Sequence, residues 1–72
     1  MEIDPSKDFY GTIKVYFPLK AFGFISQAKG RDLFFYRTSV DKEELIIEGN
    51  PVKFKIQTSD KGLSAVEITR NG

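Results

Sequence analysis

The sequence predicts an all-β fold, a five-stranded antiparallel β-barrel with a short helical turn after the third strand. Three observations carry that prediction. Short stretches alternate between apolar and polar residues, and turn residues (Gly, Pro, Asn, Asp) punctuate them roughly every eight to twelve positions. No stretch holds the 3.6-residue period that a substantial helix requires. A chain of 72 residues forms one small domain that buries roughly 60% of its unfolded surface, enough for one core but not for a deep catalytic cleft beside it.

Each element has its own signature. Residues 1–9 contain Pro5 and four charges without apolar alternation, and read as a flexible N-terminal arm before a domain spanning 10–70. Gly11 to Phe17 alternates, with Ile13, Val15 and Phe17 on one side and Thr12, Lys14 and Tyr16 on the other, the pattern of a half-buried strand. Pro18 cannot donate to a ladder and ends it. Ala21 to Gln27 is the second strand. Ala28 to Arg31 is a turn in which Gly30 takes the positive φ. Asp32 to Tyr36 is the third strand, with Leu33 and Phe35 facing one way and Phe34 and Tyr36 the other. Arg37 to Leu45 holds one helical turn, capped by Thr38 or Ser39 and pinned to the core by Val40. After the turn Glu48-Gly49-Asn50-Pro51, the residues Val52, Phe54 and Ile56 alternate with Lys53, Lys55 and Gln57 in a fourth strand. Asp60-Lys61-Gly62 is a hairpin turn. Leu63 to Ile68 is the fifth strand, with Ala65 at a tight position in the barrel.

The chemistry is concentrated in the second and third strands. Phe22 and Phe24 stand two residues apart, as do Phe34 and Tyr36, so each pair points to one side of its strand. If the strands pair, four rings meet on one face. Ile25, Leu33 and Phe35 already supply the inward set, and burying every aromatic would overfill a barrel this small. Gly23 leaves room for a flat ligand to approach the backbone. Net charge is only +1, but its distribution is uneven. Residues 1–10 carry −2, 11–40 carry +4, 41–49 carry −3 and 50–72 carry +2. The basic excess coincides with the rings, and local field rather than total charge draws a polyanion. Rings on a sheet face edged by Lys and Arg suit the stacking of unpaired nucleobases.

Other chemistries are poorly supplied. With no cysteine and no histidine, thiol chemistry, a zinc site and a Ser-His triad have no residues to rest on. The carboxylates fall in apparent loops and turns, so no enzyme, cofactor or metal is expected. No apolar run approaches the ~18 residues of a membrane span, and the N-terminus lacks the basic and apolar regions of a signal peptide. The expectation is a cytoplasmic protein without a membrane partner.

The run Gly11-Thr12-Ile13-Lys14-Val15-Tyr16, then Lys20-Ala21-Phe22-Gly23-Phe24-Ile25, Asp32-Leu33-Phe34-Phe35-Tyr36, Gly49-Asn50-Pro51-Val52-Lys53-Phe54-Lys55-Ile56 and Lys61-Gly62-Leu63-Ser64-Ala65 resembles a cold-shock domain from about Gly11 to Ile68. The resemblance implies an OB-type five-stranded barrel and a binder of single-stranded RNA or DNA, an RNA chaperone or a regulator of transcription or translation. It implies that Phe22, Phe24 and Phe34 stack bases, that Lys14 and Lys20 are basic strand residues, and that Tyr36 keeps a flat ring where the family has histidine. The chain departs from the pattern at several places. Ala21 replaces a glycine, Val15 stands at a stacking tryptophan, Arg37 stands at a common phenylalanine, and the loop from Asp41 to Glu48 is short and lacks its aromatic. Weaker binding or altered base preference is expected.

The expected nucleic-acid-binding residues are therefore Lys14, Tyr16, Lys20, Phe22, Phe24, Phe34, Tyr36 and Arg37, with Phe17, Lys29, Arg31 and Lys61 as a second tier. Tyr16 and Phe17 partly replace the tryptophan, and Arg37 stacks its guanidinium. Lys53 and Lys55 read as a solvated face. The four-stranded RNA-recognition module shares a Lys-x-Phe-Gly-Phe signature, but it needs two helices this sequence does not encode. The competing reading is a small β-barrel protein-interaction module that uses the same aromatic face as a docking patch. The expected state is a monomer, with a strand-swapped or weak dimer as the alternative.

Overall fold

Five strands follow in chain order: β1 (Phe9–Phe17), β2 (Phe22–Gln27), β3 (Leu33–Tyr36), β4 (Pro51–Ser59) and β5 (Gly62–Arg70). The computed structural model describes residues 6–27, 30–59 and 62–71; Lys29, Lys61 and most of the expected 60–62 turn lie outside them. The sheet closes into a barrel in the order β1-β2-β3-β5-β4. Four neighbouring pairs are antiparallel and the closing pair, β3 with β5 at Phe34 and Ser64, is parallel. An odd number of strands cannot alternate direction all the way round a ring, so a closed five-stranded barrel must contain a parallel pair. A parallel bridge between Val40 and Ile68 lengthens that seam.

The alternating residues build the core as expected. Ile13, Ile25, Leu33, Phe35, Val52, Phe54, Ile56, Ala65 and Ile68 are buried, and Phe9, Tyr16, Val40 and Ile46 pack against them. The first strand begins two residues earlier than its alternation suggests, because Phe9 pairs with Phe54 across the ladder and stacks on its ring at 6.3 Å. Just before it, Asp8 accepts a 2.9 Å hydrogen bond from Lys55 Nζ. That bond holds the Asp8 carboxyl below its ordinary range and the Lys55 ammonium above its own.

Between β3 and β4 the chain makes two 3-10 turns, Arg37–Ser39 and Glu43–Leu45, instead of a single helical turn. Thr38 and Ser39 lie within the first turn and no side chain caps it. Val40 does pack on the core, and the Asp41 N–H donates to the Ile68 carbonyl at 2.8 Å. Extended φ/ψ at Val40 and Lys42 separates the turns. The seam to β5 therefore interrupts the helix that local sequence would favour.

One irregularity positions the site. The β1–β2 register runs Ile13 opposite Ile25 and then Val15 opposite Phe24, so Lys14 is the extra residue of a β-bulge. A bulge shifts the two-residue period by one and exchanges inner and outer faces beyond it. Ile13 points inward, but beyond the bulge Val15 and Phe17 share the outer face with Phe24 and Phe22, while Tyr16 turns in.

Candidate nucleic-acid interface

Strand register sets the outer face of β1, β2 and β3 as a grid of two rows. Phe17, Phe22 and Tyr36 are cross-strand neighbours in one row; Val15, Phe24 and Phe34 are neighbours in the other. Five of these six places carry rings, and the rings touch in a continuous chain. Phe17 lies 5.3 Å from Phe22, Phe22 5.1 Å from Phe34, Phe24 5.9 Å from Phe34, and Phe34 4.6 Å from Tyr36. Phe22 and Phe24 also meet edge to face at 6.2 Å. Such pairs hold one another in place by about 0.5–1.5 kcal/mol each beyond area burial. Phe17 at 41% and Tyr36 at 46% exposure form the open side, and Phe22, Phe24 and Phe34 are half-buried by their neighbours.

Two expectations need correction. Tyr16 does not join the face: it packs on the core with its ring stacked 6.2 Å from that of buried Phe35, because the Lys14 bulge reverses the strand's phase. Phe17 takes the outward place instead. Gly23 does not open the backbone to a ligand. A Cβ there would collide with the Val15 carbonyl oxygen and lie 2.9 Å from the Phe35 ring, so the missing side chain admits core packing.

The basic residues border the rings in different states. Lys20 is exposed on the turn between Phe17 and Phe22, and Arg31 is exposed in the loop before β3. Lys14 is ion-paired with Asp32. Arg37, immediately after Tyr36, lies 3.6 Å from Glu43 of the acidic segment, and its N–H donates to the Ala21 carbonyl at 2.9 Å. Local patterning did not reveal either acid as a partner. Asp32 is separated from Lys14 by 18 positions, and only the β1-β2-β3 order brings them together.

The turn joining β1 to β2 is tight. Ala21 N–H donates to the Phe17 carbonyl at 2.9 Å, and Ala21 adopts φ 58°, the left-handed region that glycine occupies freely and an L-residue occupies at a cost of roughly 1–2 kcal/mol. A glycine is what the resemblance led one to expect at that position.

The family description 'Cold-shock' DNA-binding domain matches residues 9–71. The chain belongs to the cold-shock domain family. Among curated relatives, the major cold shock protein of Streptococcus pyogenes serotype M1 is 34% identical over 62 residues, covering 83% of this chain and 92% of that protein. The major cold shock protein CspA of Pseudomonas aeruginosa is 37% identical over 60 residues, covering 81% and 87%. The solved structure titled "drosophila Unr CSD456" matches with a TM-score of 0.77 at 28% identity, over 92% of this chain and 27% of that one, so this cold-shock domain spans about a quarter of that longer chain. The expected OB-type barrel stands. Within it, the ring face of this cold-shock domain is aliphatic at Val15 and aromatic at Phe17, two residues further along β1.

Proposed function

We propose that this cold-shock domain binds single-stranded RNA or DNA by stacking unpaired bases on Phe17, Phe22, Phe24, Phe34 and Tyr36, with Lys14, Lys20, Arg31 and Arg37 drawing the phosphates. The single observation that carries the reading is the unbroken run of ring contacts on the outer face of β1–β3, on the side of the sheet opposite the core. Every base has a π-face, so stacking tolerates sequence and is worth roughly 1–3 kcal/mol per base. A few such contacts reach micromolar affinity, about −8 kcal/mol, after ordering costs. The ion pairs of Lys14 and Arg37 must open before either cation meets a phosphate, and exposed pairs of this kind are worth only about 0–1 kcal/mol. In a cell such binding would keep RNA unpaired, the action of an RNA chaperone.

The test is a titration followed by tyrosine fluorescence, since Tyr36 lies on the face. Oligo-dT or oligo-U of about seven nucleotides, within the span of one such barrel, quenches the signal, and added salt weakens binding with a slope near −0.7 per neutralised phosphate. Absence of binding at low salt contradicts the proposal and points to a protein docked on the same rings.

A further inference from the structure

The outer face continues past the rings. Ser26 stands two residues beyond Phe24 along β2, and the register of β1 on β2 sets Thr12 opposite it. Against that pair lies an open depression of about 340 Å³ lined by Tyr10, Gly11, Thr12, Ser26, Gln27 and Asn71. Three parts of the chain build it. β1 brings Tyr10 to Thr12 and β2 brings Ser26 and Gln27. Asn71 follows β5, where its N–H donates to the carbonyl of Pro51, the β4 neighbour of Thr12. Tyr10 is 55% exposed, and the Gln27 amide nitrogen donates to the Arg31 carbonyl at 2.8 Å. The side chains that line the depression are all uncharged: two aliphatic hydroxyls, two carboxamides and a phenol ring.

We infer that this depression holds the ribose of a nucleotide towards one end of the bound strand, and that it thereby favours RNA over DNA. The inference rests on the nucleic-acid reading above and goes beyond it in naming a second contact and a choice of sugar. With no ammonium or guanidinium among the lining side chains, a phosphate gains no charge partner there, and with no carboxylate an amine gains none. A wholly apolar ligand would cover the Tyr10 ring but would strip water from Thr12, Ser26, Gln27 and Asn71 without replacing it. A sugar meets both demands. Its C–H face covers the ring, and its hydroxyls donate to and accept from hydroxyls and carboxamides alike. Reach is met as well. Two residues of a strand span about 7 Å, so Thr12 and Ser26 form the next row past Val15 and Phe24, where the sugar beyond the last stacked base arrives. Ribose differs from deoxyribose only in its 2′-hydroxyl, which both donates and accepts. The depression is open, so water replaces a lost bond, and the discrimination is about threefold to tenfold, the worth of one hydrogen bond.

The experiment compares heptauridylate with heptadeoxyuridylate, so that the base is constant and only the sugar differs, by competition against a labelled strand. The wild-type protein is expected to prefer the ribose strand about threefold to tenfold. Deoxyuridine strands that carry a single 2′-hydroxyl at each position in turn locate the effect on the wild-type protein itself. The gain should be recovered towards one end of the strand and not in its middle, where the rings hold the bases. Thr12→Val and Ser26→Ala each remove one hydroxyl from the lining, and each should bring the ribose-to-deoxyribose ratio, measured on the same variant, down towards one. A urea melt of each variant establishes that it is folded. If the two sugars bind equally, if the gain falls in the middle of the strand, or if the preference survives both substitutions, the ribose site is wrong while the stacking surface stands. If the wild-type protein binds neither strand, the ribose site and the nucleic-acid reading fall together.

Discussion

The outer faces of β1–β3 and of β4 cover the same core yet carry different side chains. Outward positions on β4 are Lys53, Lys55 and Gln57, opposite the buried Val52, Phe54 and Ile56. The corresponding positions on β1, β2 and β3 hold Phe17, Phe22, Phe24, Phe34 and Tyr36. The β4 face shows that this barrel accepts charged and polar residues on its outside wherever its inward alternation is intact. The rings are therefore not demanded by the core, and they gather on the side where residues 11–40 concentrate positive charge. On the proposed reading, folding and binding are divided between the two sides of the same strands.

The sharpest way to break that comparison is to remove a ring from each side of one strand. Phe35 is fully buried, and Phe35→Ala should cost roughly 3–5 kcal/mol, the usual range for a large core aromatic, read as the loss of a cooperative urea transition. The outward Phe22→Ala should cost less than Phe35→Ala, because it loses ring contacts with Phe17, Phe24 and Phe34 but opens no enclosed cavity. Equal destabilisation by the two would mean that the platform is core.

A substitution in the turn that carries the rings acts in the other direction. Ala21→Gly relieves the left-handed strain at φ 58° but adds freedom to the unfolded chain, so a net gain of up to about 1 kcal/mol in the urea midpoint is expected. A loss there would mean that the Ala21 methyl contributes more than its backbone costs. Smaller still is Glu43→Gln. Freeing Arg37 from an exposed ion pair 3.6 Å long should tighten strand binding by about two- to fivefold, the scale of such pairs. The increase should fade at high salt.

The smallest effect belongs to the polar face. The Lys55 hydrogen bond depresses the Asp8 carboxyl, so its contribution to stability is present above the ordinary carboxylate pKa and is lost as pH falls through the lowered value. Lys55 is raised by the same bond, so its contribution is present below the ordinary lysine pKa and is lost as pH climbs through the raised one. Asp8→Asn should flatten the acid limb of stability against pH slightly and leave strand binding at neutral pH unchanged. A change in binding would mean that this side of the barrel also touches the ligand.

Much of the fold was legible because it depends on local period. Ile13, Ile25, Phe35, Phe54 and Ala65 lie where alternation and turn residues put them, and Phe22, Phe24, Phe34 and Tyr36 meet because the register pairs Phe22 with Tyr36 and Phe24 with Phe34. What escaped was non-local. A strand bulge that swings Tyr16 inward is an alternative the sequence leaves open, but local pattern does not place it: the single extra residue at Lys14 turned Tyr16 inward and brought Val15 and Phe17 out. The inward role of Gly23 depends on a ring twelve residues away in sequence, that of Phe35. The partners of Lys14 and Arg37 come from other loops. The parallel seam between β3 and β5 departs from the antiparallel barrel expected, in which only the other four pairs fit.

The most direct test is Phe22→Ala assayed twice on one preparation, for heptathymidylate affinity and for the urea midpoint. Phe22 touches Phe17, Phe24 and Phe34, so its loss should weaken binding about 5- to 100-fold, the worth of a stacked base, while the domain still unfolds in a single cooperative transition. A protein that binds as tightly as before, or one that no longer folds, would contradict the division between an inner face that folds and an outer face that binds.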